Sequence, residues 1–190
     1  NVRKVVGWTL PTNGGEVLAV AAAILIGFTM PMTAAQILWI NLVLTVTLGL
    51  VLAFEPAEDG VMRRRPREAS APLLSPFLVW RVVFVSLLFV AGALGIFFYA
   101  LGARGLDVDT ARTMVVNVIV VMEIFYLFNV RYLRAPSISL RGILGTPVLL
   151  AALAAVTLAQ LAFTYWPVMH TLFATAPVPF ADGLLILGIG

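Results

Sequence analysis

The sequence predicts an all-α fold, a polytopic transmembrane bundle of about six helices, from three observations. First, 62% of the 190 residues are hydrophobic and 11% are charged, with a mean hydropathy of +1.05, which is more apolar surface than a soluble core can bury. Second, the apolar residues form stretches close to the roughly 20 residues that cross a bilayer as a helix. Third, most charged residues fall between these stretches, so the lipid bilayer is the expected partner.

The composition excludes several kinds of site. The chain has no Cys, which excludes disulfides, thiolate metal sites and thiol redox chemistry. His170 is the only histidine, which excludes a His-rich metal site. The net charge of +3 comes from clustered Arg, and no aromatic residues interleave the main basic run at 63–67. We therefore expect no nucleic acid among the partners.

The stretch 5–54 contains the first two predicted spans. Its only charged residue is Glu16, and it is long enough to cross a bilayer twice. We predict helices at 6–28 and 35–54. Pro31 favours a turn between them, because a proline disfavours helical backbone at the residue before it.

Further apolar stretches follow a polar loop at 55–68. We predict spans at 82–103, 113–129 and 143–166, then a loop rich in Pro and Thr, then the start of a sixth span near Phe180. The sixth stretch reaches only Gly190, about half the length that a crossing needs. The chain also begins with Asn rather than Met. We therefore expect residues 1–190 to be one transmembrane domain of a longer protein, with its last helix incomplete.

The distribution of basic residues predicts the orientation. Placing the N-terminus in the cytoplasm leaves only Arg104 and Arg112 outside, out of 12 basic residues. The ten inside are Arg3, Lys4, Arg63, Arg64, Arg65, Arg67, Arg81, Arg131, Arg134 and Arg141. Loops with more Lys and Arg stay in the cytoplasm, so this orientation is favoured. The four Trp residues are expected as interfacial anchors near the ends of spans, or, for Trp39, packed inside the bundle.

Two carboxylates, Glu16 and Glu123, lie inside predicted spans. A charged side chain at the centre of a bilayer costs about 2.5 kcal/mol or more, and such residues usually mark an ion or proton path. Asn13 precedes Glu16 by three residues and so shares its face of the helix. Pro11 is expected to kink this helix and free a carbonyl, and the glycines at 14–15 permit close approach of a neighbour.

Carboxylate, amide and carbonyl oxygens are the ligands that Ca²⁺, Na⁺ and K⁺ prefer, so the first span predicts a cation site. The alternative is a packing kink with Glu16 hydrogen-bonded to a neighbouring helix. In the second predicted span, Asn41 and Thr45 are four apart and share a face, whereas Thr47 is rotated away. Their amide and hydroxyl groups are candidate ligands, or instead hold helices together.

Polar residues in the fourth and fifth spans predict helix–helix contacts. Asn117 is six residues from Glu123 and does not share its face, so we expect it to hydrogen-bond a neighbouring helix. Thr157 and Gln160 are interpreted in the same way. Tyr126 lies about one turn after Glu123 and either holds the carboxylate or is an aromatic side chain facing the bundle.

Several short motifs occur along the chain in a fixed order. They are NVRK at 1–4, TNGGEV at 12–17, QILWINL at 36–42, FEP at 54–56, MRRRPR at 62–67, and VME at 121–123 with Asn129. In this order and spacing, the whole chain resembles the C-terminal membrane region of P-type cation-transporting ATPases, in the branch that includes the sarcoplasmic reticulum calcium pump. The resemblance implies that the predicted spans correspond to membrane helices five to ten of that family.

The resemblance also implies a ligand set. The residues that match the calcium pump's cation ligands are Asn13, Glu16, Asn41 and Glu123. The family's Thr-Asp pair in the sixth helix falls at 44–45, so that Thr45 replaces the Asp and is a fifth candidate ligand. Leu48 stands where the family has a helix-breaking Pro. One fewer carboxylate implies fewer ions, a monovalent ion or a more weakly held divalent ion.

By resemblance, the parent protein is a P-type ATPase, a translocase that exports Ca²⁺ or another small cation, and among the candidate ions Ca²⁺ is favoured over Na⁺, K⁺, Mg²⁺ and Mn²⁺. The family's Asp-Lys-Thr-Gly, Thr-Gly-Glu and Gly-Asp-Gly motifs are absent from this sequence. ATP and Mg²⁺ are therefore expected only in upstream domains of the parent. The implied partners are those cytoplasmic domains and the N-terminal membrane helices, and the implied location is the plasma membrane of a bacterium.

Two other functions fit the same residues. A channel or proton-coupled carrier would use Glu16 and Glu123 as relay groups. A non-transporting helical scaffold would use them to pair with a partner in the membrane.

Overall fold

The computed structural model describes residues 2–54, 75–131 and 146–190, and these ranges contain helices and no strand. The seven helices are α1 (Val2–Ile26), α2 (Ala34–Phe54), α3 (Pro76–Ala103), α4 (Val108–Arg131), α5 (Pro147–Tyr165), α6 (Pro167–Phe173) and α7 (Phe180–Ile189). The predicted all-α fold is confirmed. We call the end where α1 begins the lower end and the end where α2 begins the upper end.

Five of these helices, α1 to α5, are long and apolar enough to cross a membrane. The observed bounds differ most for α3, which begins at Pro76 rather than at 82, and for α4, which begins at Val108 rather than at 113. The predicted starts were wrong because each span was taken to begin directly after a charged residue. Arg81 and Arg112 instead lie in the second turn of α3 and of α4, close enough to the helix end for a long side chain to extend its charge toward water.

Local capping sets where several helices begin. Ser75 and Thr146 each accept a hydrogen bond from a backbone N–H in the first turn of α3 and α5, and a proline follows each cap. At the start of α2, Thr33 and Gln36 form a reciprocal capping box with bonds of 3.2 and 3.0 Å. The turn before it contains Gly27 with φ +84°, a backbone conformation that favours glycine.

α4 is the most buried of the long helices and lies at the centre of the bundle. α1 packs against both α3 and α4. The α1–α3 contact depends on two glycines: a Cβ added at Gly15 would lie 2.4 Å from Phe89 Cβ, and one at Gly14 would lie 2.6 Å from Ser86 Oγ. The expected close approach of a neighbour at 14–15 is therefore confirmed.

The upper end is held together by hydrogen bonds between its connections. Arg112 Nε donates to the carbonyl of Met30 at 3.0 Å, and Gln36 Nε2 donates to that of Phe173 at 3.1 Å. A salt bridge of 3.1 Å joins Arg104 to the buried Asp182 of α7. The sequence predicted a loop at 167–179, whereas its first half forms the short helix α6 after Pro167 at the first helical position.

Candidate cation site

Glu16 lies in the middle of α1 and is 3% exposed. Its Oε2 accepts a hydrogen bond of 2.9 Å from Asn41 Nδ2 on α2, and the same nitrogen donates to the carbonyl of Ile37 at 3.1 Å. Glu16 Oε1 is buried and has no partner among the described residues. The sequence left open that Glu16 hydrogen-bonds a neighbouring helix. It does so, but through only one of its two carboxylate oxygens.

Glu123 is completely buried on α4. Neither of its carboxylate oxygens has a hydrogen-bond partner among the described residues, and the same is true of Asn13 Oδ1 on α1. α4, which carries Glu123, packs against α1, which carries Asn13 and Glu16. Two helices therefore place four buried acceptor oxygens without donors in one region of the bundle.

Such oxygens need compensation. A buried acceptor without a partner costs about 1–3 kcal/mol, and more when it is charged. A bound cation or proton supplies that compensation, and the oxygen type suits a hard cation. The described residues contain no group of three or more His, Cys, Asp and Glu side chains that could hold a metal. A cation here would thus bind two carboxylates together with amide or other neutral oxygens.

Asn41 lies in a π-helical segment of α2, Ile40–Thr45, with α-helical turns before and after it. π-Helical turns are rare and often occur at functional sites. The segment spans the position of the family's Thr-Asp pair, and α2 continues through Leu48, where the family's helix-breaking Pro is missing. The side chains at 44–45, and so that of the candidate ligand Thr45, lie outside the described part of the structure.

A cavity of about 410 Å³ adjoins this region between α1 and α2. Its polar lining consists of Asn13, Glu16 and Asn41. The apolar lining residues are Val17, Val20, Ala21, Ile24 and Ile37. Apart from Asn13, the α1 residues all lie at or beyond Glu16 toward the upper end. The cavity therefore extends from the carboxylate toward the upper side of the bundle.

Two hydrogen bonds join α1 to α4 beside Glu123. Trp8 Nε1 donates to the backbone carbonyl of Glu123 at 3.2 Å, and the Tyr126 hydroxyl donates to that of Gly7 at 2.9 Å. Tyr126 therefore faces the bundle and does not hold the carboxylate. Trp8 is fully buried, so the expectation of an interfacial anchor was wrong for it.

A separate polar network joins α2, α4 and α5. Gln160 accepts from Trp39 Nε1 at 3.3 Å and donates to Asn117 Oδ1 at 3.2 Å. Asn117 Nδ2 donates to Thr164 Oγ1 at 3.0 Å. The predicted helix–helix role of Asn117 and Gln160 is confirmed. Thr157 is exposed, so the same prediction was wrong for it.

Most of the chain, from residue 29 onward, matches a known protein family. The family described as "Cation transporting ATPase, C-terminus" matches residues 29–190. The chain belongs to this cation-transporting ATPase family. With five helices able to cross a membrane, this ATPase region is an integral membrane domain.

Relatives of this ATPase region match along its whole length. It is 44% identical over 189 residues to "Probable cation-transporting ATPase F" of Mycobacterium bovis, covering 100% of this chain and 21% of the relative. It is 29% identical over 192 residues to "Cation-transporting ATPase pma1" of Synechocystis, covering 98% and 21%. It is 26% identical over 189 residues to "Calcium-transporting ATPase" of Bacillus subtilis, covering 100% and 21%. The chain thus spans about a fifth of the length of these relatives.

Proposed function

We propose that this chain is the transmembrane cation-binding domain of an ATP-driven cation pump. Asn13, Glu16, Asn41 and Glu123 ligate the transported cation, with Thr45 as a fifth ligand. The observation that carries this proposal is the set of four buried side-chain oxygens without partners in the described residues, which belong to three of these ligands. Apolar side chains in these positions would stabilise the bundle, so the retained oxygens favour a bound cation over a purely structural role.

The chemistry of these ligands and the names of relatives favour Ca²⁺ as the substrate. Carboxylate and amide oxygens suit Ca²⁺, and the Bacillus subtilis relative is named as a calcium-transporting ATPase. We rank Ca²⁺ ahead of Na⁺, K⁺, Mg²⁺ and Mn²⁺. The bacterial relatives and the distribution of basic residues along the sequence favour a bacterial plasma membrane with the N-terminus in the cytoplasm.

Transport requires that the site open alternately to each side. α1 carries Asn13 and Glu16 and contacts α4, which carries Glu123, so a movement of α1 changes the distances between ligands. ATP hydrolysis supplies the energy in domains of the parent protein outside this chain.

The experiment uses the full-length protein in liposomes. ATP hydrolysis is recorded with Ca²⁺, Mg²⁺, Mn²⁺, Na⁺ and K⁺ for the wild type, Glu16→Gln and Glu123→Gln. Asp109→Asn is the matched control, because Asp109 is an exposed carboxylate at the upper end of α4. Stimulation by one cation that is lost in both Glu variants, but kept in the control, supports the proposal.

Other outcomes separate the alternatives. Stimulation that survives both Glu→Gln changes would place the cation elsewhere and give the two carboxylates a structural role. Ion flux without ATP hydrolysis would support a channel or proton-coupled carrier. The absence of both ion flux and ATP hydrolysis would support a membrane scaffold.

A further inference from the structure

Two hydrogen bonds run in opposite directions between α1 and α4. α1 donates through Trp8 to the carbonyl of Glu123, and α4 donates back through Tyr126 to the carbonyl of Gly7. Trp8 is 0% and Tyr126 8% exposed, so neither bond exchanges readily with water. Because the two donors lie on different helices and the acceptors are backbone atoms, sliding of either helix would break both bonds.

The Gly7 carbonyl is free to accept a hydrogen bond from Tyr126 because Pro11 cannot donate to it within α1. In an α-helix a carbonyl accepts from the N–H four residues later, and proline has no N–H. Pro11 lies four residues after Gly7 inside the unbroken helix α1, so the Gly7 carbonyl has no intrahelical donor at that position. A buried carbonyl left in this state is costly, and the Tyr126 hydroxyl removes the cost at 2.9 Å.

Other contacts hold the Tyr126 ring in place. The Arg81 guanidinium lies 5.3 Å from the ring centroid, a cation–π geometry. Phe89 of α3 contacts the same ring edge-on at 6.5 Å between centroids. Phe89 is also the residue that packs against Gly15, next to Glu16. Two residues of α3 therefore hold the Tyr126 ring in place, and one of them, Phe89, also packs beside the candidate cation site.

We infer that Tyr126 is a positioning residue for the cation site. Its bond to Gly7, opposed by the bond from Trp8 to Glu123, sets the register of α1 against α4 and thereby the distance between Glu16 and Glu123. Tyr126 lies three residues after Glu123, so its hydroxyl ties the carboxylate's own helix to α1. This inference rests on the proposed function, because it assigns a role toward a cation held by these two carboxylates.

The test compares Tyr126→Phe with wild type in the full-length protein in liposomes, over a range of cation concentrations. We expect the concentration for half-maximal ATP hydrolysis to rise about three- to tenfold, the effect of one lost hydrogen bond, with a smaller change in maximal rate. The matched control is Tyr165→Phe, which removes a hydroxyl that donates to the carbonyl of Val178 at the upper end. It should change the half-maximal concentration less than about twofold.

A second arm of the experiment changes Pro11, the residue that leaves the Gly7 carbonyl without a donor within α1. Pro11→Ala restores an N–H at position 11 that can donate to Gly7 within α1, so the carbonyl no longer depends on Tyr126. Adding Tyr126→Phe to that background should then change the half-maximal concentration less than about twofold. An equal effect of Tyr126→Phe in both backgrounds would overturn the inference. The inference would also be overturned if Tyr126→Phe lowered the amount of folded protein but left the half-maximal cation concentration of the folded fraction unchanged. If Tyr126→Phe does not fold, Trp8→Phe removes the opposing bond to the Glu123 carbonyl and should raise the half-maximal concentration about three- to tenfold whether position 11 is Pro or Ala. An unchanged half-maximal concentration in Trp8→Phe would then overturn the inference.

The outcome also separates this inference from the proposed function. If Glu16→Gln and Glu123→Gln leave cation stimulation intact, the proposed function fails and the inference fails with it. If both abolish stimulation while Tyr126→Phe leaves the half-maximal concentration at the wild-type value, only the inference fails.

Discussion

The Asn41 amide on α2 donates to the Glu16 carboxyl group on α1 at 2.9 Å, so α1 and α2 meet at a buried acidic side chain. The same nitrogen donates to the carbonyl of Ile37, which orients the amide from its own helix. One carboxylate oxygen is thereby satisfied and the other is left to a further group. Rotation of this amide would present its oxygen in place of its nitrogen, which is how a single side chain can serve both a vacant and an occupied site.

Replacing Asn41 tests that arrangement. Asn41→Leu removes both the donor to Glu16 and the neutral oxygen that we propose as a cation ligand, while keeping a similar volume. We expect the half-maximal cation concentration for ATP hydrolysis to rise about tenfold, because the occupied site loses the proposed Asn41 ligand oxygen, and this loss outweighs that of a hydrogen bond made only in the vacant site. The measurement is cation-stimulated hydrolysis by the full-length protein. Thr157→Val, an exposed position on α5, is the control, and an equal shift in both variants would contradict the role of Asn41.

Helix packing beside the site predicts a steric effect at Gly15. A Cβ added to this glycine would lie 2.4 Å from Phe89 Cβ, so Gly15→Ala forces α1 and α3 apart. We expect a loss of about 1–3 kcal/mol in stability, the usual cost of overpacking, seen as a lower Tm in detergent. Gly95→Ala on α3 is the control, because nothing lies within 4 Å of its added Cβ. Equal Tm values for the two variants would show that α1 and α3 do not pack this closely.

The long helices could be predicted from sequence because crossing a bilayer fixes both the length and the polarity of a segment. The burial of Glu16 and Glu123 was expected for the same reason. The donor to the Gly7 carbonyl was not, because Tyr126 is 119 residues away in sequence and the contact depends on how two helices are aligned. Pro11 predicted that a carbonyl would be free, but no local pattern identifies its partner.

Trp8 shows the limit of residue-type rules. Its position near the start of a span is typical of an interfacial anchor, yet the indole is fully buried and donates to α4. A tryptophan satisfies its N–H in either setting, so only the packing of neighbouring helices distinguishes them. The helix α6 was missed for a related reason, since Pro167 predicts equally well a turn or the first residue of a helix.

The network around Gln160 predicts a stability effect away from the carboxylates. Gln160→Leu leaves both the Trp39 N–H and the Asn117 oxygen without this partner in a buried setting. We expect a loss of about 1–3 kcal/mol, measured as the Tm of the full-length protein in detergent. Thr157→Leu on the same helix introduces the same side chain at an exposed position and should have little effect. A similar Tm for both variants would show that the network adds nothing to stability.

The missing carboxylate in α2 gives the sharpest test of ion preference. By resemblance, Thr45 occupies the position of the family's Asp, four residues after Asn41, so Thr45→Asp adds a third carboxylate to the proposed ligand set. A divalent cation gains more from an added negative ligand than a monovalent one does. We expect the half-maximal Ca²⁺ concentration to fall about tenfold and that for Na⁺ or K⁺ to change less, in cation-stimulated ATP hydrolysis. Thr45→Asn, which adds a neutral oxygen of the same shape, is the control. If Asn and Asp change the Ca²⁺ response equally, charge at this position does not set ion preference.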